Sequence, residues 1–146
     1  MKILFICHAN ICRSFMAQEL LKKLVPQANV FSRGLYVDPE LTVPQKVLHF
    51  LANNQITPAP HQPTQLQAAD LQVADFVFCM EPKQLDQLVD QYAQYTEKMW
   101  LVNDFAYGQE TAVEDPISLS GRAFEKQAEL LQKAVEKIAT LLTTNK

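Results

Sequence analysis

The chain has 146 residues, 48% of them hydrophobic and 20% charged, with a formal net charge of −3. That is the composition of an ordinary soluble protein, and one domain spanning residues 1–146 is expected. A slightly acidic chain with no apolar run near the roughly 18 residues of a membrane span, and no signal-peptide layout, argues against nucleic acid and membrane as partners. Three cysteines do not make a secreted disulfide framework, so a reducing, cytoplasmic setting is expected.

Ile3-Leu4-Phe5-Ile6 reads as a buried parallel strand, and Met16, Leu20 and Leu24, spaced by four, as the buried face of a helix. Between them lies Cys7-His8-Ala9-Asn10-Ile11-Cys12-Arg13-Ser14, joining the carboxyl end of a strand to the amino end of a helix. In an open α/β sheet ligands bind at that edge. Unpaired loop N–H groups from His8 to Ser14, with the helix dipole, make it an anion site, and Arg13 adds a planar fork of donors for two oxygens of a phosphate-like group. The same groups favour a thiolate at Cys7, which makes it a nucleophile aimed at the anion held by Arg13. Taken singly, Cys7 is an ordinary buried thiol and Arg13 a solvated charge; their combination at Cys-x5-Arg, between strand and helix, carries the reading. Cys7 and Cys12 do not have the spacing of a zinc site, and no Gly-x4-Gly-Lys-Ser/Thr nucleotide loop occurs.

Cys-x4-Cys-Arg-Ser directly after an amino-terminal strand resembles the phosphate-binding loop of the low-molecular-weight protein tyrosine phosphatases, whose arsenate reductase branch shares the fold. The family usually reads Cys-x-Gly-Asn-Ile-Cys-Arg-Ser-Pro. This chain matches at Cys7, Asn10, Ile11, Cys12, Arg13 and Ser14 and departs at Ala9 and Phe15. The resemblance implies that His8, Ala9, Asn10, Ile11, Cys12 and Ser14 line the phosphate site, with Asn10 and Ser14 also supporting the loop.

Asn29-Val30-Phe31-Ser32 reads as a second strand, ending at Ser32-Arg33-Gly34. Residues 35–40 would then be the family's variable loop, where Tyr36 would supply an aromatic wall or else be a loop tyrosine without a role. Val43, Val47, Phe50 and Leu51 share one helical face, with Thr42 as N-cap, Pro44 in the first turn and Asn53-Asn54 at the end. His61 stands in a proline-rich connection and on composition is a surface histidine. The resemblance gives it a bond to the loop asparagine, here Asn10. Leu66–Leu71 reads as a short helix, Asp75–Met80 as a third strand with Cys79 a core thiol, and Pro82 as the start of a helix burying Leu85, Leu88 and Val89. Lys98–Leu101 reads as a fourth strand. Phe124, Ala128, Leu131, Val135, Ile138 and Leu142 advance by alternating steps of four and three and form the stripe of a final helix. The alternation predicts an α/β fold, a doubly wound four-stranded parallel sheet with helices on both faces and the phosphate-binding loop after the first strand.

Glu114-Asp115-Pro116 is a turn signal by itself. The resemblance makes Asp115 a general acid that protonates the leaving oxygen while Cys7 attacks phosphorus, then a base for the water that releases phosphate. This chemistry calls for no metal or organic cofactor. The expected substrate is a phosphotyrosine protein or a small aryl phosphate, with inorganic phosphate as product. Two other readings stay open. A phosphate-binding module with little turnover is suggested by Ala9 and by Ile117 and Ser118, which stand where the family carries two aromatic residues. Arsenate reduction would need resolving cysteines near the third strand, where Cys79 stands alone. Cys12 either forms a protective disulfide with Cys7 or packs under the loop.

Overall fold

The computed structural model describes residues 1–144. Four strands, β1 (Lys2–Cys7), β2 (Asn29–Gly34), β3 (Phe76–Cys79) and β4 (Met99–Leu101), form one parallel sheet in the order β2-β1-β3-β4. Among the described residues six α-helices accompany them: α1 (Arg13–Leu24), α2 (Gln45–Asn53), α3 (Ala68–Val73), α4 (Pro82–Gln91), α5 (Val102–Tyr107) and α6 (Gly121–Thr144). The fold is the expected doubly wound α/β arrangement. From β1 the chain runs through α1 to β2 on one side, and the later half adds β3 on the other. The loop after β1 therefore leaves the sheet where the strand order reverses, outside the carboxyl ends of the strands.

Alternation along β1 divides the interior into two cores. Ile3, Phe5 and Cys7 pack with α1, α2, α5 and α6, whereas Leu4 and Ile6 pack with Leu71 of α3 and Leu88 of α4. Every residue of the α6 stripe is buried, joined by Ala134 and Ala139.

Local departures from the sequence reading have physical causes. Leu24 is exposed: α1 packs against the sheet, α2 and α6, which buries Arg13 to Leu21 continuously rather than along one stripe and leaves the last turn open. Pro44, not Thr42, precedes α2; the helix ends at Asn53-Asn54 as expected, and the left-handed residue beyond it is Gln55 (φ 60°). Helix α3 begins two residues later than expected. Leu66 instead donates its N–H to Gly34 O, while Gln67 caps the helix reciprocally with Asp70. A 3-10 turn (Ala93–Lys98) and α5, which follows β4 without a connector, carry too few residues to show a period.

Candidate active site

Cys7 ends β1 and Arg13 opens α1; each is 3% exposed. The turn between them depends on Asn10, whose φ of 60° lies in the left-handed region that asparagine tolerates better than most residues. Among the described residues, the backbone N–H groups from His8 to Ser14 make no hydrogen bond to a backbone carbonyl. These donors and the first turn of α1 form a cup suited to an anion.

The loop is held from below by side chains. Asn10 Nδ2 donates to Ser14 Oγ and to Ser32 Oγ, each at 2.9 Å, and its Oδ1 accepts the Thr64 N–H at 3.0 Å. Ser32 Oγ in turn donates to Gln18 Oε1 at 2.6 Å. Because Ser14 Oγ accepts from Asn10, its own hydrogen is free for Cys7 Sγ, 2.9 Å away. His61 Nε2 lies 2.8 Å from Asn10 O, and since a carbonyl only accepts, Nε2 carries the hydrogen. The imidazole stacks on Phe15 at 4.3 Å, and its burial lowers the histidine below its ordinary pKa of 6.5. Phe15, where the family carries proline, thus gains a packing partner. Gly34 is needed for close approach: a Cβ there would lie 2.7 Å from Val37 Cγ2 and 2.9 Å from His8 O.

Arg13 is a buried cation with three partners. Its Nη1 donates to Val113 O at 2.8 Å and lies 3.5 Å from Glu81 Oε1, and Nη2 lies 3.7 Å from Asp115 Oδ2. Such a charge is tolerated only when paired. Asp115 comes from the irregular segment before α6 and is 44% exposed, with Oδ1 accepting the Ile117 N–H at 3.1 Å.

Cys7, Arg13 and Asp115 face one open pocket of about 150 Å³, to which His8 and Cys12 also contribute, with walls of Ala9, Ile11, Leu41 and Ile117. Tyr36 is not among its lining residues. It is 58% exposed, its ring 5.2 Å from that of His8 and its hydroxyl bonded to Gln87. The apolar wall comes from Leu41, just beyond the loop that carries Tyr36, a residue with no periodic signal in the sequence. Gln18, Glu81 and Val113 were equally silent, since each is a single residue that matters only through its partner. Cys12 is a buried thiol pushed up to about 12, first by burial and then by Cys7 and Asp115. Cys79 is fully buried, likewise raised to about 12, and sits in the core on the other face of the sheet from Cys7. It is therefore not placed as a resolving thiol for arsenate chemistry. Among the described residues no three His, Cys, Asp or Glu side chains gather as a metal site would require, and no helix is long and apolar enough to cross a membrane.

The family profile of the low molecular weight phosphotyrosine protein phosphatases matches residues 2–146. The chain is 26% identical to a probable low molecular weight protein-tyrosine-phosphatase, EpsP, of Ralstonia nicotianae, across 92% of this chain and 90% of that one. It is 27% identical to a protein-arginine-phosphatase of Geobacillus stearothermophilus, across 98% and 97%. Among solved structures it superposes on a low molecular weight protein tyrosine phosphatase from T. tengcongensis with a TM-score of 0.90 and 27% identity, covering 97% of this chain and 99% of that one. The match runs from the first strand to the last helix, and the chain belongs to the low molecular weight phosphotyrosine protein phosphatases, a family of cysteine-based phosphatases.

Proposed function

We propose that the protein hydrolyses aryl phosphate monoesters, phosphotyrosine among them, through a phosphocysteine at Cys7. The observation that carries this reading is the meeting of Cys7, Arg13 and Asp115 in a pocket whose other walls are almost wholly apolar. In the first step Cys7 Sγ forms a bond to phosphorus as the bond to the leaving oxygen breaks. Arg13 and the loop N–H groups hold the equatorial oxygens, and the Asp115 carboxyl gives its proton to the departing phenolate. In the second step the Asp115 carboxylate takes a proton from water as that water attacks phosphorus. The S–P bond breaks, and phosphate leaves. The Ser14 hydroxyl stabilises the sulfur anion formed at that moment.

A second reading is favoured by the relatives, which include protein-arginine-phosphatases. A phosphoarginine carries a planar group with several N–H donors, which needs acceptors around it. Ile11, Leu41 and Ile117 offer no side-chain acceptor, whereas an aromatic ring fits against them. Phenyl phosphate, a phosphotyrosine peptide and a phosphoarginine peptide should be compared with chelator present, using wild type, Cys7→Ser and Asp115→Asn. The expected result is turnover of the aryl esters, abolished by Cys7→Ser and slowed about 10²–10⁴-fold by Asp115→Asn. A higher kcat/KM for phosphoarginine would replace the substrate assignment. Phosphate binding without turnover by the reduced wild type would leave a binding module.

A further inference from the structure

Asp115 lies in a segment without regular structure, between the end of α5 and the start of α6. Upstream, the segment is fastened at Val113, whose N–H donates to Met80 O at 2.7 Å and whose carbonyl takes the Arg13 bond. Downstream, the fastening comes from a different element. Lys46, in the first turn of α2, places its ammonium among the carbonyls of Pro116, Ile117 and Leu119, at 3.4 Å from Pro116 O and 2.6 Å from Leu119 O, with Ile117 O as the third acceptor. Its Nζ also lies 5.2 Å from the centre of the Phe124 ring.

An ammonium has three hydrogens, and here three carbonyls of one short turn face it. Without the cation those dipoles would oppose one another, and the turn is otherwise closed by only one backbone bond, Leu119 N–H to Pro116 O at 2.9 Å. Charge-assisted bonds are the stronger kind, and a half-buried lysine gives up hydration to make them. The acid thus sits between two clamps, one built from Arg13 and from Met80 just after β3, the other from α2.

We propose that Lys46 is a positioning residue for general acid catalysis, holding the 116–119 turn so that the Asp115 carboxyl stays within reach of the leaving oxygen; this rests on the reading of Asp115 as the acid. Lys46 is not among the residues lining the pocket and acts on the reaction only through the turn. Its loss therefore matters in proportion to the leaving group's need for a proton.

The test compares kcat/KM for phenyl phosphate, whose leaving group needs a proton, with that for 2,4-dinitrophenyl phosphate, whose leaving group does not, in wild type, Lys46→Met, Asp115→Asn and the double variant. Lys46→Met is expected to slow phenyl phosphate by about 10²-fold, the scale set by an ångström of misplacement. The dinitrophenyl ester and inhibition by inorganic phosphate should be unchanged, and the double variant no slower than Asp115→Asn alone. Should Lys46→Met not fold, Lys46→Gln, with two donors in place of three, carries the same comparison. If Asp115→Asn is selective for the poor leaving group and the Lys46 variant is not, whether it is unaffected or equally slow on both esters, the proposal is overturned and the role of Asp115 stands. If Asp115→Asn is itself unselective, the acid assignment fails and this inference with it.

Discussion

Asn10 offers the sharpest test of how the loop is held, because its backbone and its side chain make separable contributions. In Asn10→Ala three side-chain bonds vanish, to Ser14, Ser32 and the Thr64 N–H. At roughly 1 kcal/mol each, that is about 3 kcal/mol. The φ of 60° adds a further penalty of about 1–2 kcal/mol for a residue with a Cβ and no local hydrogen bond. Asn10→Gly loses the same bonds but escapes the backbone penalty, less about 0.5–1 kcal/mol for glycine's greater freedom when unfolded. Alanine should therefore destabilise by about 4–5 kcal/mol, with glycine about 1 kcal/mol better. Urea unfolding read by linear extrapolation gives both numbers. Asn10→Asp separates stability from catalysis: it keeps the acceptor for Thr64 but turns an oxygen toward Ser14, whose hydrogen is then drawn away from Cys7. This variant should lose turnover out of proportion to stability. An alanine variant within about 1 kcal/mol of wild type, or glycine worse than alanine, would refute the account of the loop.

Gly34→Ala would press a methyl onto His8 O and the Ala9 carbonyl carbon, which unlike the Val37 methyl cannot rotate away. It should cost about 1–3 kcal/mol and lower kcat/KM as the loop shifts, with wild-type values in both assays speaking against the close approach. His61 is lowered by burial below 6.5, so between its folded and unfolded values the unfolded chain binds more protons. Its contribution to stability is complete above about 6.5 and is lost as pH falls toward the folded value. The stability difference between pH 7 and pH 5 should narrow in His61→Gln; an unchanged difference would assign acid sensitivity elsewhere. If Cys12 captures an oxidised Cys7, loss of water from the Cys7 sulfenic acid and the Cys12 thiol closes a disulfide that dithiothreitol reopens. Activity lost to peroxide should then return in wild type but not in Cys12→Ala, whereas equal recovery would leave Cys12 as packing beneath the loop.

Much of the fold was legible because burial imposes periods. The α6 stripe repeats at intervals that only a helix satisfies, and the apolar runs of β1 and β3 are continuous and too short for a buried helix. The reading faltered where burial came from several sides, as in α1, or where an element was too short to repeat, as in α5. The site divides in the same way. Cys7 and Arg13 are close in the chain, so their spacing between strand and helix already implied an anion cup, whereas Asn10 took its loop-supporting role from the family resemblance. Asp115 and His61 were singled out only through the family resemblance, and Tyr36 was set in a wall that Leu41 supplies.

By itself, then, the sequence determined what contiguous residues can determine: the alternation of strands and helices, and a thiol and a guanidinium on one loop. Only the tertiary structure decided what meets that loop. Ser32 and Gln18 fix the direction of the hydrogen bonds beneath it, Glu81 and Val113 hold Arg13, and Lys46 grips the turn that follows Asp115. The reason is physical. A lone polar residue in a loop has no periodicity and no local partner, so its role exists only after a sheet has brought distant segments to one edge.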